Sequence, residues 1–482
     1  MQAEAEALSM RAKHDLQEDP RGGLHGPPSS AIQSLSNRFI VAFRSHESKR
    51  KPTTTAYRQQ DEGLGLLAYL SATAPLVPLP PAEPNPPSWP SSVYIFGPED
   101  AVNGSDLTAR IAALLSELNN VTTGHYSSDR KALLFKPGTY ETDIEVGYYV
   151  QVLGLGERPE DVQFTSAWGV HSKPMGAIPD PGSLDNFWRS AENFHHASPW
   201  GMLWAVSQAS PIRRIRVDKN LTLSVPGAWA SGGYMADMQV GCLQLVQFDV
   251  GGSTVLGGQQ LLSIHAVVLV SKEVRVRKPD TVATGSPRET LPAEGSETAL
   301  TNVLPNVALT PVIAEKPYIT IATCLHISRS VGPAVEEATT VPFEQVYVAR
   351  AEDLTSTIQS KLTSGLHVVL SPGIYNLTAT LTLTFKNQVL LGIGMATLVA
   401  PKDGSPCVLV ENAATGARVA GIVLQANFAF DKATGSPPPS SLLEWGRSGV
   451  TAGEADPANP GVLSDVFARV GGPDTDRKIG TL

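Results

Sequence analysis

The sequence feature that most constrains the fold is a unit that occurs twice, at residues 106–156 and again at residues 353–394. Each copy has a helical pattern, then a β-prone run that ends in Pro-Gly-x-Tyr, then a second run that ends in Leu-Gly-x-Gly. Repetition of a whole unit outweighs local propensity as evidence for architecture. The order predicts a parallel β-helix in each half of the chain.

The helical part of each copy is amphipathic and is predicted to cover the open end of a β-helix. Its apolar residues recur at helical spacing; they are Leu107, Ile111, Leu114, Leu115 and Leu118 in the first copy and Leu354, Ile358 and Leu362 in the second. The interior of a β-helix must be closed at its end. We therefore expect an all-β fold of two tandem right-handed parallel β-helices, each opened by a short capping helix, with the second one incomplete.

Composition divides the chain into four segments. Residues 1–92 are predicted to be a disordered leader, because they lack apolar periodicity and end in a proline-rich run. Residues 93–270 are expected to form the first β-helix, and residues 271–311 a flexible, low-complexity excursion. Residues 312–482 are expected to form the second β-helix, truncated after a few coils.

The overall composition excludes several classes of protein. Charged residues make up 17% of the chain and the net charge is -9, which argues against nucleic-acid binding because no basic surface is available. No apolar run reaches the length of about 18 residues that crosses a membrane. The three cysteines (Cys242, Cys324 and Cys407) form no metal or disulfide pattern, and we expect them to be buried. We predict a monomer without cofactors.

Several longer runs resemble a family of secreted pectate-lyase-like twin β-helix proteins, similar to exo-β-1,3-glucanase-type glycoside hydrolases. The runs are Pro137-Gly-Thr-Tyr140, Leu184-Asp-Asn-Phe-Trp-Arg-Ser-Ala-Glu-Asn-Phe194, Trp204-Ala-Val-Ser-Gln-Ala209, Gly232-Gly-Tyr-Met-Ala-Asp237 and Glu315-Lys-Pro-Tyr318. Members of the family are sometimes labelled coagulation factor 5/8 type or adenylyl cyclase. The resemblance covers roughly residues 93–242 and 312–480.

The resemblance implies a polysaccharide-acting protein, either a glycoside hydrolase or an inactive relative. A non-catalytic carbohydrate-binding or structural β-helix is the alternative, and a nucleotide cyclase has support from the family label alone. In the resembling glucanases the proton-donating acid belongs to the second half. Since the chain stops at Leu482, we expect weak or absent hydrolysis even where binding survives.

Three carboxylates are the candidate catalytic residues: Asp185, Glu192 and Asp237. Glycoside hydrolysis needs two carboxyl groups on one cleft, one to protonate the leaving oxygen and one to act as base or nucleophile. The competing interpretation is structural. Asp185 then caps a turn, and Glu192 pairs with Arg189 at a spacing of three residues.

A sugar-binding surface is predicted beside these carboxylates, formed by Trp188 with Asn186 and Arg189. Five of the seven tryptophans lie close together in sequence, and aromatic faces suit the C–H faces of sugar rings; they are Trp168, Trp188, Trp200, Trp204 and Trp229. Trp204 lies in an apolar run and is expected to be core. We expect the surface around Trp188 to face the second β-helix.

Two further patterns are interpreted as structural. The pair His195-His196 lacks nearby acidic or cysteine ligands, so no metal site is predicted. The Leu-Gly-x-Gly glycines mark bends of the β-helix, because no third glycine and apolar helix follow as a dinucleotide loop requires.

An extracellular location is predicted from two weak signals. Residues 64–79 resemble the apolar part of a signal peptide, although they lie far from Met1. Four sequons for N-glycosylation add mild support for secretion; they begin at Asn103, Asn120, Asn220 and Asn376.

Overall fold

The structure is a computed structural model. It describes residues 82–101, 104–173, 182–223, 230, 233–244, 269–270, 275–276, 312–314, 316–321, 324–327, 329–331, 334–335, 339–427, 441–446, 456 and 459–469. Most of the predicted leader and, apart from Arg275–Val276, the whole predicted excursion at 271–311 lie outside these residues.

The first half of the fold is built on parallel strands. The strands are β1 (Val93–Phe96), β2 (Lys131–Phe135), β3 (Gly138–Tyr140), β4 (Ile144–Glu145), β5 (Val150–Gly154), β6 (Val162–Phe164), β7 (Val170–His171), β8 (Arg189–His196), β9 (Met202–Leu203), β10 (Pro211–Thr222), β11 (Tyr234–Ala236), β12 (Gln239–Gln244), β13 (Leu269–Val270) and β14 (Arg275–Val276). The main sheet runs β1-β2-β5-β8-β10-β11-β13, and β4 pairs with β7 in a separate sheet. A strand of the main sheet thus pairs with the strand that the next coil adds to that sheet, as in a β-helix.

The second half repeats this arrangement in three parallel sheets. Its strands are β21 (Val346–Ala349), β22 (His367–Leu370), β23 (Ile374–Asn376), β24 (Leu381–Leu383), β25 (Val389–Gly392), β26 (Thr397–Val399), β27 (Val408–Val410), β28 (Arg418–Ala420), β29 (Val423–Gln425), β30 (Leu443–Trp445), β31 (Val462–Ser464) and β32 (Phe467–Arg469). The sheets run β21-β22-β25-β28-β31, β23-β26-β29-β32 and β24-β27-β30. From β22 onward, every third strand therefore returns to the same sheet.

Between the halves lie two small antiparallel sheets, which the sequence analysis assigned to the second β-helix. They consist of β15 (Val312–Ala314), β16 (Tyr318–Thr320), β17 (Cys324–Ile327), β18 (Arg329–Val331), β19 (Ala334–Val335) and β20 (Thr339–Pro342). Parallel pairing begins only at Val346. The predicted start at residue 312 is corrected, because short connections join neighbouring strands here and favour antiparallel pairing.

The helices lie where the repeat predicts them. They are α1 (Gly104–Asn119), α2 (Val121–Gly124) and α3 (Thr355–Thr363), with 3-10 turns at Pro98–Ala101, Pro159–Asp161, Gly182–Asp185 and Phe343–Gln345. The apolar residues of α1 are buried with the interior strand residues of the first half, and Ile358 and Leu362 of α3 with those of the second. In the described part of the chain, none of the helices has the length and apolar character needed to span a bilayer.

The tyrosine of the Pro-Gly-x-Tyr motif makes the same hydrogen bonds in both halves. The hydroxyl of Tyr140 lies 3.1 Å from the Phe96 carbonyl oxygen and 2.7 Å from that of Lys136. The hydroxyl of Tyr375 lies 3.0 Å from the Ala349 carbonyl oxygen and 2.9 Å from that of Ser371. Each tyrosine is buried and shares its proton between the ends of two strands, which fixes the first corner of each half.

The two halves pack against each other through strands that are buried on both faces. In β2, Leu133 faces the core of the first half, whereas Leu134 belongs to a cluster shared with the second half. In β22, Val368 faces the core of the second half and Val369 faces the shared cluster. Such strands are apolar at consecutive positions, as expected for parallel sheets covered on both sides.

The glycines of the second Leu-Gly-x-Gly stand at this contact. Gly394 has a φ of +58°, and a Cβ there would lie 2.8 Å from the Lys131 carbonyl oxygen. Its N–H donates to Gln151 Oε1 at 2.8 Å. The prediction of a bend is confirmed at this glycine, which also allows the backbones of the two halves to approach.

Residues 82–92, which belong to the predicted leader, contact the second half. The N–H of Glu83 donates to the Glu344 carbonyl oxygen at 2.9 Å, and the carboxylate of Glu83 pairs with Lys361. The Trp89 ring packs edge to face on Phe343, with centroids 6.0 Å apart. These contacts bind residues 82–92 to the second half, and the disordered leader stays a prediction.

Candidate functional site

The predicted site residues other than Asp237 come from one short segment at the corner where the chain enters β8. Asp185 closes a 3-10 turn, and Trp188 takes a left-handed backbone conformation with a φ of +51° immediately before the strand. Strand β8 then lies between β5 and β10 in the main sheet. The segment therefore belongs to the wall of the first half that faces the second half.

Asn186 and Arg189 are buried, and their side chains donate hydrogen bonds to the backbone carbonyl oxygens around the corner. The amide of Asn186 donates to the Ala205 carbonyl oxygen at 2.8 Å. The guanidinium of Arg189 donates to the carbonyl oxygens of Phe187 and Asp185 at 3.2 Å each, and to that of Val146. Burial lowers the pKa of Arg189 to about 10. The prediction that Asn186 and Arg189 form an open sugar-binding surface is corrected, since their donors serve the corner itself.

Trp188 lies at the centre of an aromatic cluster, not on an open surface. Its side chain is 1% exposed and packs against Tyr149 and edge to face against Phe467 of the second half, with centroids 6.3 and 6.2 Å apart. The guanidinium carbon of Arg469 lies 5.6 Å from its ring centroid. The residue faces the second half as predicted, but its burial removes it as a platform for a sugar ring.

The exposed edge of this cluster is formed by Tyr126 and His125. Their rings are stacked with centroids 4.4 Å apart, and His125 in turn stacks on Phe187 at 5.6 Å. Tyr126 is 38% exposed, and the guanidinium of Arg469 lies 5.7 Å from its ring. Neither residue was predicted from the sequence, because Tyr126 follows a helix and carries no periodic signal.

A second cluster, which we call the junction charges, consists of Glu192, Lys316, Asp465, Arg213 and Asp237. The ammonium of Lys316 contacts Glu192 Oε2 and lies 3.4 Å from Asp465 Oδ2. The guanidinium of Arg213 donates to both carboxylate oxygens of Asp465 at 2.8 and 3.2 Å and lies 3.3 Å from Asp237 Oδ2. Three carboxylates and two cations from both halves thus meet at one place.

The charges of this cluster are held by one another. Burial alone would raise the pKa of Asp465, but the nearby charges of Arg213 and Lys316 outweigh it and lower that pKa. Burial alone would lower the pKa of Arg213, and Asp465 raises it overall. Asp465 is therefore a carboxylate at neutral pH, and it is suited to act as a fixed charge or base but not as a proton donor.

The three predicted carboxylates differ in their surroundings. Glu192 is buried and paired with Lys316, so the alternative prediction of a Glu192–Arg189 pair is wrong. Residues three apart on the strand β8 do not share a face as they would on a helix. Asp185 is buried on the other side of the corner. Asp237, whose side chain is 15% exposed, is the most accessible of the three.

The neighbouring histidines are tied into the fold. His195 Nε2 lies 2.8 Å from Asp218 Oδ2, and His196 Nε2 donates to the Trp168 carbonyl oxygen at 3.1 Å. Burial lowers the pKa of His196 to about 4. In the part of the chain that the structure describes, no group of three or more His, Cys, Asp or Glu residues is placed to hold a metal ion.

Comparisons with known proteins agree with this architecture. The LAM55 pectate lyase-like domain family matches residues 346–481. An exo-β-1,3-glucanase from Streptomyces sp. (strain SirexAA-E / ActE) is 30% identical over 450 residues, which cover 87% of this chain and 67% of the enzyme.

Solved structures give the same result. The structure of sacteLam55A from Streptomyces sp. SirexAA-E matches with a TM-score of 0.58 at 25% identity, covering 81% of this chain and 66% of that one. A variant of the same protein in complex with glucose matches with a TM-score of 0.57 at 24% identity over the same shares. The chain spans about two thirds of the length of these relatives. On this evidence the chain belongs to the LAM55 pectate-lyase-like family of glycoside-hydrolase-like proteins.

Proposed function

We propose that this protein is a glycoside hydrolase that acts on β-1,3-glucan. The observation that carries the proposal is the 30% identity to an exo-β-1,3-glucanase over 87% of the chain, which includes both halves. The corner at β8 and the junction charges supply the buried and exposed carboxylates that such an activity needs.

We further infer that the parallel sheets form two tandem right-handed β-helices, each closed by a helix. The support is the duplicated order of helix, strand and Pro-Gly-x-Tyr corner. The burial of Leu107 and Ile111 of α1, and of Ile358 and Leu362 of α3, among interior strand residues also favours it. A glucan would then lie in the cleft where the halves meet, as ligands of multi-lobed folds commonly do.

Within this cleft we assign roles by exposure. Tyr126 and His125 offer the open aromatic edge, which suits the C–H face of a glucose ring. Asp237 contacts the substrate as base or as the charge that stabilises an oxocarbenium-like transition state, since it is the most exposed carboxylate of the junction charges and pairs with Arg213. Glu192 and Asp465 are buried and do not contact the substrate. Glu192 holds Lys316 in place, and Asp465 holds Arg213. The proton donor is a residue outside the junction charges.

The experiment measures release of glucose and oligosaccharides from laminarin by the wild-type protein and by an Asp237→Asn variant. We expect the variant to lose at least about 100-fold in kcat/KM, the usual contribution of general acid–base catalysis. The matched control is Asp218→Asn, which removes an exposed carboxylate further along the same wall. Equal losses in the two variants, or none in Asp237→Asn, would contradict the assignment of Asp237.

Non-catalytic glucan binding is the second candidate, and one observation favours it. Of the carboxylates near the corner, Glu192 and Asp465 are buried and paired, and Asp237 shares Arg213 with Asp465. Laminarin binding by isothermal titration calorimetry without product release over a day would support this function and reject hydrolysis. We have no observation that favours a nucleotide cyclase.

We also propose that the protein is secreted and acts as a monomer without nucleic-acid partners. The mild acidity of the chain, with a net charge of -9, supports the last point. Expression in a secreting host with analysis of the culture medium tests the first, and sedimentation velocity tests the second.

A further inference from the structure

A pair of exposed tryptophans lies apart from the junction charges. Trp168 follows β6 and Trp200 follows β8, in turns of successive coils. Trp200 is 64% exposed and Trp168 is 36% exposed. Their rings meet edge to face, with centroids 5.1 Å apart and planes at 89°. Two adjacent indoles open to water form an apolar surface that a folded chain usually buries unless something binds there.

The turn that carries Trp168 is held rigid. Asp143 Oδ1 accepts the N–H groups of Trp168 and Gly169 at 2.8 Å each and the hydroxyl of Ser166 at 2.6 Å. His196 donates to the Trp168 carbonyl oxygen. The backbone beneath the indole therefore needs no reorganisation on binding, which is the condition under which a small contact contributes most to affinity.

The two turns also pack directly on each other. Gly169 has a φ of +57°, and a Cβ at this position would lie 2.4 Å from Ser198 Oγ, in the turn of Trp200. Only glycine allows this approach. The spacing of the two rings is thus set by the backbone of the two coils and not by side-chain rotamers alone.

The two turns that carry the pair contain no charged side chain, and the carboxylate of Asp143 beneath Trp168 is bonded to the backbone of that turn. Residues 165–171 and 197–203 contain no Asp, Glu, Lys or Arg. Burial lowers the pKa of His171, and that of His196 to about 4, so both imidazoles are neutral at neutral pH. An electrically neutral partner with apolar faces fits such a surface better than a nucleic acid or a charged protein surface.

The pair lies far from the junction charges on the same strand. Arg213 pairs with Glu192 near the start of β10, whereas Leu221 pairs with Met202, two residues after Trp200, near its end. Arg213 and Leu221 are eight residues apart, so at a rise of about 3.3 Å per residue the two places are at most about 26 Å apart along the strand. A polymer several sugar units long would reach from one place to the other.

We propose that Trp168 and Trp200 form a second contact surface for glucan chains, which holds the polymer without taking part in its hydrolysis. The inference rests on the proposed function, because it takes the partner to be β-1,3-glucan. Each indole offers a face to the C–H groups of a glucose ring, and the right angle between the rings suits a chain that bends around the corner.

The experiment uses the full-length protein and insoluble β-1,3-glucan. Binding is measured by depletion from solution for the wild type, Trp168→Ala, Trp200→Ala and the double variant. Trp445→Ala, which removes an exposed tryptophan of the second half, is the matched control. Hydrolysis of laminaritriose, which is too short to span both surfaces, is measured in parallel, and circular dichroism checks that every variant is folded.

We expect the double variant to bind the insoluble polymer about tenfold more weakly, the effect of losing one or two ring contacts. Its turnover of laminaritriose and the binding of Trp445→Ala should equal those of the wild type. Equal polymer binding by the double variant and the wild type overturns the inference. So does a concentration-dependent dimer that the double variant abolishes while glucan binding persists, since the pair would then be a contact between copies.

The two proposals fail in different ways. A wild-type protein that hydrolyses laminaritriose without binding the insoluble polymer overturns the second surface and leaves the proposed function standing. A wild-type protein that neither binds nor hydrolyses β-1,3-glucan overturns both.

Discussion

Replacing Lys316 by methionine is the sharpest test of the junction charges. The ammonium group is 3% exposed, contacts Glu192 and lies 3.4 Å from Asp465. Methionine keeps the length of the side chain but leaves the buried carboxylates with Arg213 as the cation that the structure places beside them. Removing one partner of a buried ion pair costs about 3–5 kcal/mol, because the remaining charge has lost its solvation. We expect the free energy of unfolding to fall by that amount at pH 7.

The assay is urea unfolding followed by tryptophan fluorescence, with the first transition analysed. The matched control is Lys136→Met, which removes an ammonium 3.3 Å from Glu99 at the surface of the same half, where the pair is solvated. The control should unfold with the wild type. A double variant, Lys316→Met with Glu192→Gln, should recover part of the loss because the unpaired charge is gone. The reasoning is refuted if the buried and the surface variant are equally stable.

Three further predictions concern the same wall of the first half. Trp188→Ala should lower the free energy of unfolding by about 3–5 kcal/mol through the cavity it leaves, whereas Trp200→Ala should leave it nearly unchanged; urea unfolding compares them. Asp465→Asn should be less stable than the wild type above pH 5. The difference should shrink as the pH falls through the lowered pKa of Asp465, because the stabilisation by a carboxylate with a depressed pKa is lost on protonation. Urea unfolding at several pH values between 3 and 7 measures the difference. Gly154→Ala should yield little folded protein, since its Cβ would lie 1.9 Å from the Asn193 carbonyl oxygen; a thermal melt checks it, and a wild-type melting temperature would contradict it.

Much of the fold is encoded in local patterns that a single sequence reveals. The predicted strands at Lys131–Phe135 and His367–Leu370 and both helices are present, because hydrophobic periodicity and turn residues act within a few positions. Trp204 is core, as its apolar neighbours indicate. The antiparallel sheets that begin at Val312 were missed, since short β-prone runs do not specify the direction in which they pair.

The site was harder to predict, because its contacts join distant parts of the chain. Glu192 pairs with Lys316, which is 124 residues away in the sequence, and Arg213 pairs with Asp465, which is 252 residues away. Periodicity carries no such information. For Lys316 the signal was the run Glu315-Lys-Pro-Tyr318, which contributed to the family resemblance. Trp188 was misjudged because the rings that bury it, Tyr149 and Phe467, are distant in the chain, which composition alone does not reveal.

The separations within the fold also bear on the order of folding. Strand neighbours such as Val369 and Leu391 come from successive coils, so each half can grow by adding the next short segment. The junction charges close far longer loops, whose entropic cost is met only after both partners are in place. We therefore expect docking of the halves to follow the assembly of each. The charges at their contact should then govern how fast the protein opens, with little influence on how fast it forms, and the two limbs of a denaturant chevron measure these rates separately.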